Sequence, residues 1–187
     1  QVIEEMNRLG MIVDLSHAGR QTCLDAINFS KKPVTISHAN PNFFHQSIRN
    51  IDDEVLKLLA KNNGFIGLSL YPYHLKNYGD CKLEDFCEMI NQLVNIMGED
   101  NIGIGSDLCM NWPDSVVMWM RNGKWTKKID YGESKNKNAS WPKPLTWYSK
   151  PEDISAFLKG MILNGISEKT AHKIAGSNWL NFMQNHF

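Results

Sequence analysis

Met11-Ile12-Val13-Asp14-Leu15-Ser16-His17 is a short apolar run that ends in a small polar residue and an imidazole. Too short for a helix and lacking strict alternation, such a run reads as a parallel strand buried on both faces. Val34 to Ser37 repeats the pattern and leads into His38, Ile102 to Ile104 leads through Ser106 into Asp107, and Phe65 to Leu70 is a fourth run. Amphipathic segments lie between them: Arg20 to Phe29, Asp52 to Asn62, and Leu83 to Met97, with Gly64 and Gly98 suited to left-handed caps on the last two. The rhythm of strand and helix predicts βαβ units and a parallel sheet.

Working outward, Val2, Ile3, Met6 and Leu9 before Gly10 read as the last turns of a helix, so the chain opens as the continuation of something. Beyond Asp107 the period is lost from Met110 to Lys150, a stretch that holds five of the six tryptophans (Trp112, Trp119, Trp125, Trp141, Trp147). Long segments of this kind in a compact domain are functional or disordered, and the tryptophans argue against simple disorder. Two helices are expected after it, Pro151 to Leu163 with proline at its first position and Ser167 to Gln184.

Twenty basic residues balance twenty acidic ones, which removes the general argument for binding nucleic acid or an anionic membrane surface. No apolar run approaches the roughly 20 residues needed to span a bilayer. Cys23, Cys81, Cys87 and Cys109 are too sparse for a disulfide scaffold and are expected to be free thiols, which leans towards a reducing, cytoplasmic setting.

The chemistry sits at strand ends. In parallel α/β architectures, above all the (β/α)8 barrel, the C-terminal ends of the strands converge on one mouth, so His17, His38 and Asp107 are expected to be neighbours. Two neutral imidazoles and a carboxylate suit Zn2+ and similar ions, which make hydroxide from water near neutral pH. Each residue alone has a plainer reading, a histidine at a strand end or an aspartate in a Gly105-Ser106-Asp107 turn; it is the shared position that points to a metal. His45, His74, His172 and His186 lack that placement and read as surface or packing residues. Arg49 precedes a helix where a guanidinium can clamp a carboxylate, and a solvated surface arginine fits the same spacing. Gly103-Ile104-Gly105 lacks the third glycine of a dinucleotide fingerprint, since Leu108 stands there.

Taken together, Val13-Asp14-Leu15-Ser16-His17, Ile36-Ser37-His38-Ala39-Asn40 and Ile48-Arg49-Asn50-Ile51-Asp52-Asp53-Glu54 resemble, in order and spacing, the membrane (renal) dipeptidase family of zinc metallopeptidases. Asn63-Gly64-Phe65-Ile66-Gly67, the run from Met97 to Asp107, and Ala175-Gly176-Ser177-Asn178-Trp179-Leu180 extend the resemblance to most of the chain outside residues 108–150. It implies an α/β fold, the C-terminal half of a (β/α)8 TIM-like barrel of the amidohydrolase type, and metal-dependent hydrolysis of dipeptides with a binuclear zinc centre. His17 and His38 match the histidines that hold one of the metals. Asp107 matches the aspartate at the last barrel strand, which accepts a proton or holds the substrate amine, and Arg49 the arginine that binds the terminal carboxylate.

A barrel of this type needs about 250 residues, so residues 1–187 are expected to be one domain forming its second half, with an insertion or lid at 108–150. The family's first-strand ligands and bridging glutamate would lie upstream, and His17 and His38 alone are two ligands where a catalytic zinc normally has three. The expected partner is therefore an N-terminal barrel half, as a separate chain or further residues, without which the chain is expected to be inactive. The resemblance also implies a homodimer. After Asp107 the family's Asp-Phe-Asp-Gly pattern is replaced by Asp107-Leu108-Cys109-Met110, which leaves the choice of dipeptide or other small amide open. The segment from Arg121 to Lys150 carries eight basic residues against Asp130 and Glu133, and reads as a solvated loop, an attractor of anionic substrate, or an aromatic subunit contact. Two other functions fit the same residues: a noncatalytic barrel half acting in assembly, and a metal-dependent hydrolase of a non-peptide substrate.

Overall fold

The computed structural model describes residues 1–117 and 140–186. Three parallel strands, β1 (Thr35–Ala39), β2 (Phe65–Leu68) and β3 (Ile102–Ile104), pair in that order. Helices α1 (Val2–Leu9) and α2 (Arg20–Phe29) precede β1, α3 (Asp53–Lys61) links β1 to β2, and α4 (Leu83–Met97) links β2 to β3. After the segment that follows β3 come a 3-10 turn (Pro151–Asp153), α5 (Ile154–Leu163), α6 (Glu168–His172), a π-helical turn (Lys173–Ser177) and α7 (Asn178–His186). This is the α/β alternation around a parallel sheet that the apolar runs predict. All four residues of β2 are buried, as a central strand covered on both faces requires.

The helix boundaries follow from local chemistry. Asp52 caps α3 by accepting the Glu54 and Val55 amides, and Gly10 ends α1 in the left-handed conformation at φ 72°. The core joins Ile36, Leu56, Leu59, Ile66 and Leu68 to Phe86 and Phe157. Trp147 stacks on Phe157 (centroids 5.6 Å, 19° between planes) and donates from Nε1 to the Cys81 carbonyl at 2.8 Å.

Several expectations are corrected. Met11 to Leu15 is no full strand: it makes a single parallel bridge, Asp14 to Thr35, with Thr35 N donating to Val13 O (2.9 Å) and Leu15 N to Thr35 O (2.8 Å). The ladder stops there because Asp14 Oδ1 takes the amides of Ser16 and Ser37. The left-handed residue after α3 is Asn63 (φ 53°), while Gly64 is needed for closeness: a Cβ there would lie 2.9 Å from the Val34 carbonyl oxygen. Gly98 has positive φ (77°) but an extended ψ (156°), so it is no left-handed cap. The helix expected over Ser167 to Gln184 is interrupted by the π turn, which rotates Asn178 and Trp179 onto β3. Asn178 Nδ2 donates to the carbonyls of Glu99 and Ile102 (2.7 Å each), and Trp179 Nε1 donates to that of Ile104 (2.8 Å).

Of the insertion at 108–150, residues 118–139, with Trp119, Trp125 and six of the eight basic residues, lie outside the described part. The portion after it is held in the core by Leu145, Trp147 and Tyr148. Among the described residues, no helix is long and apolar enough to cross a membrane, and Cys23, Cys81, Cys87 and Cys109 are free thiols.

The docking of α6 and the π turn on the loop before β3 carries a pH dependence. Hydrogen bonds from Lys173 (2.6 Å), Thr170 (2.8 Å) and Lys169 (3.3 Å) hold the Glu99 carboxyl down to about 2. A depressed folded pKa stabilises above the unfolded value, about 4.3, and that contribution is lost as pH falls towards about 2. Glu99→Gln is expected to lower Tm at pH 6 and to flatten its decline between those two pH values, measured by thermal melts across the range.

Candidate metal and substrate site

The carboxyl ends of the strands supply the site. In β1 the pairing slips: Ile36 faces Ile66 and Ala39 faces Leu68, so Ser37 and His38 together stand opposite Gly67 alone. This β-bulge turns the Ser37 carbonyl towards Gly67 and Gly105, where a side chain on either glycine would overlap it. The bulge aims the half-buried His38 at the mouth. There its Nε2 lies 2.9 Å from Nε2 of His17, with the rings edge to face at 5.0 Å.

His17 reaches that position at a conformational cost, having φ 66°, and Asp107 after β3 is also left-handed at φ 52°. Partial desolvation lowers the pKa of His17, the positive charge of Arg49 and the His38 ring add to the effect, and Asp107 opposes it. A lowered value keeps His17 neutral near pH 7, the form that ligates a cation.

Behind the imidazoles a chain of hydrogen bonds begins at Asp14. Its Oδ2 accepts from the Ser37 hydroxyl at 2.6 Å, and Ser37 Oγ lies 2.8 Å from Nδ1 of His38. Partial desolvation would raise the Asp14 pKa, but the Ser37 hydroxyl and the Ser16 and Ser37 amides outweigh it and lower the value. The backbone of His38 is fixed as well, by donation from its N–H to Ser16 Oγ (3.0 Å).

His17 and Arg49 border one cavity of about 400 Å³, whose wall includes Ser16, Asn42, Ile48 and Asp52. Buried amides set the Arg49 loop. Asn50 Oδ1 accepts the Asn40 amide (3.1 Å), Asn50 Nδ2 donates to the His45 and His74 carbonyls (2.7 and 3.0 Å), and Asn40 Nδ2 donates to the Ser69 carbonyl (2.9 Å). A bridge between Pro41 and Ile51 closes the loop against the end of β1. On the opposite side Arg20 pairs with Asp52 at 2.8 Å and with Glu54, anchoring the rim.

Of the four residues expected at the site, His17 and His38 are thus in contact, Arg49 shares a cavity with His17, and the Asp107 charge is felt at His17. Among the described residues no group of three His, Cys, Asp or Glu side chains stands together as a metal site. Sequence reasoning missed Asp14, Ser37, Asn40 and Asn50. A signal was present for Asp14, a lone carboxylate inside an apolar strand run, which is unfavourable unless hydrogen-bonded. His74, read as a surface or packing residue, is buried with Nδ1 at 2.8 Å from Ser69 Oγ.

The donor chemistry fits a divalent cation. Two imidazole nitrogens on one tetrahedral zinc, each about 2.0–2.1 Å from it, stand roughly 3.3 Å apart, close to the 2.9 Å between the two Nε2 atoms.

Comparison with known proteins supports the same direction. Residues 1–115 match the family model described as membrane dipeptidase (peptidase family M19). A dipeptidase from Claviceps purpurea is 28% identical over 174 residues, 86% of this chain and 39% of its own length. An uncharacterized dipeptidase from Schizosaccharomyces pombe is 35% identical over 109 residues, 57% of this chain and 26% of its own length. Among solved structures, an amidohydrolase from Pseudomonas aeruginosa superposes with a TM-score of 0.84 at 30% identity, covering 98% of this chain and 55% of that one. A metallo peptidase from Rhodobacter sphaeroides, liganded with a phosphinate mimic of L-Ala-D-Ala, has the same fold at a TM-score of 0.74 and 21% identity, covering 100% of this chain and 45% of that one. The chain therefore spans about half or less of the length of these proteins.

Proposed function

Because this chain belongs to the membrane dipeptidase family, whose model it matches over residues 1–115, we propose that it supplies the C-terminal half of the active site of a zinc-dependent dipeptidase. The observation that carries this reading is the convergence of His17 and His38 through their Nε2 atoms, 2.9 Å apart, beside the cavity that Arg49 borders.

His17 and His38 would hold one of two zinc ions in the complete (β/α)8 barrel. A cation there supplies the positive charge that polarises a scissile carbonyl and acidifies water. Two further residues of this chain act on the substrate. The Arg49 guanidinium binds the terminal carboxylate of the dipeptide and so sets the distance from that carboxylate to the peptide bond. Asp107, at the end of β3, accepts a proton from the attacking water and passes it to the leaving amine. The carboxylate and the two imidazoles come from three separate segments, after β3, in β1 and after the Asp14 bridge, which gives each an independent orientation.

Completion of the site falls to an N-terminal barrel half, in a separate chain or in further residues. Large apolar side chains left exposed among the described residues support it: Val2 is 75% exposed, Met11 52%, Leu163 86% and Leu180 56%. Such surfaces are a liability unless another element covers them. Burial pushes the Cys81 and Cys87 thiols up to about 12, so they stay protonated and inert.

The reading is tested by comparing hydrolysis of a free dipeptide with that of its C-terminal amide, in the protein isolated with its companion half and zinc. Arg49→Ala is expected to raise KM for the free dipeptide roughly 10- to 150-fold, the worth of a charge-assisted pair of about 1.5–3 kcal/mol, and to leave the amide nearly unchanged. Equal effects on both substrates would remove Arg49 from carboxylate recognition. Absence of hydrolysis in a metal-loaded, complete protein would overturn the peptidase reading.

A further inference from the structure

We infer that Asp14 and Ser37 form a positioning dyad that fixes the tautomer of His38, so that Nδ1 carries the proton and Nε2 offers its lone pair to the mouth. The inference rests on the metal reading above, but its geometry is independent of it.

The donors and acceptors can be assigned one by one. Asp14 Oδ1 accepts the amides of Ser16 (3.0 Å) and Ser37 (2.9 Å), and Oδ2 accepts at 2.6 Å from the Ser37 hydroxyl. A carboxylate only accepts, so the single hydroxyl proton of Ser37 is committed to Asp14. Ser37 Oγ then has only lone pairs to present to Nδ1 of His38 at 2.8 Å, and the ring must donate. Ser16 Oγ lies 3.1 Å from Ser37 Oγ, its hydroxyl has both Ser37 Oγ and the Asp14 carboxylate as acceptors, and it accepts the His38 amide at 3.0 Å. In the neutral ring this arrangement leaves Nε2 of His38 unprotonated. The 2.9 Å contact between the two Nε2 atoms is then a donation from His17 to His38, and a cation would take the place of that shared proton.

The dyad matters because a histidine protonated on its ligating nitrogen is no ligand. An outer partner that fixes the tautomer contributes about 10- to 100-fold in metal affinity. Asp14 lies in the segment before α2 and Ser37 in the bulge of β1, so the dyad also ties the two histidine-bearing segments together.

Asp14→Asn gives a sharp test. The side-chain amide that this substitution introduces, placed near Ser37 Oγ, would donate where Asp14 accepts and turn the Ser37 hydroxyl towards Nδ1 of His38. The tautomer is expected to invert. The measurement is nitrogen NMR of the histidine rings in metal-free complete protein, followed by Co2+ titration read from its absorption bands. In the wild type, His38 should show a protonated Nδ1 and an unprotonated Nε2. Asp14→Asn should reverse the pair and weaken Co2+ binding 10- to 100-fold; Ser37→Ala should mix the tautomers, and Ser37→Thr should restore the wild-type pattern. An unprotonated Nδ1 in the wild type, or a His38 tautomer unchanged in Asp14→Asn, would overturn the inference. The expected tautomers with no Co2+ binding in any variant would instead remove the metal reading and leave the dyad standing.

Discussion

His17→Ala is expected to lower kcat/KM for a dipeptide by roughly three orders of magnitude or more in the complete protein, because a bound cation contributes several kcal/mol to such a reaction. The loss should appear together with a fall in zinc per barrel, measured by elemental analysis after dialysis. Stability should move the other way from function. His17 stands at φ 66°, a conformation that disfavours any residue with a Cβ by about 1 kcal/mol. Compared metal-free, His17→Gly should therefore melt no lower than the wild type, while it loses metal binding and activity. A His17→Gly protein that keeps both would show that another residue holds the cation. A metal-free Tm well below that of the metal-free wild type would mean that the imidazole serves the fold.

Gly105→Ala is the second large effect. Its Cβ would overlap the Ser37 carbonyl and stand 3.2 Å from Cα of His38. The obstacle is backbone inside a bulge, which cannot swing aside as a flexible side chain could. Overpacking of this kind costs up to about 3 kcal/mol, or roughly 6–12 °C in Tm for a domain of this size. Any relief comes from pushing the bulge, and with it His38, out of register with His17. Metal affinity is thus expected to fall further than stability explains. Thermal melts and zinc affinity measured on one preparation check both parts; a Gly105→Ala protein with wild-type Tm and zinc affinity would mean that the bulge has slack.

The alternation of strands and helices was legible because it is written in local chemistry. Apolar runs such as Phe65 to Leu70 are too short to be helices, and Leu83 to Met97 repeats its apolar residues at helical spacing with Gly98 behind it. α2, α4 and β3 run over the residues their patterns predict. Met11 to Leu15 was misleading because its pairing depends on Asp14, whose carboxylate intercepts amides that a longer ladder would use. Ser167 to Gln184 misled for a similar reason: the π turn answers to carbonyls of Glu99, Ile102 and Ile104, about 75 residues away in sequence.

The site divides along the same line. By itself the sequence determined the kinds of group available, two imidazoles and a carboxylate after three of the four apolar runs and an arginine before α3, because side-chain chemistry and strand propensity are local properties. Only the tertiary structure decided that the two Nε2 atoms meet, that His17 and Asp107 are left-handed, that a bulge opposite Gly67 aims His38, and that Asp14 and Ser37 stand behind it. Apart from the two backbone conformations, each of these is a contact between segments some 20 or more residues apart. Its distance and angle come from how the strands pack, a balance of many weak terms that no single stretch of sequence contains.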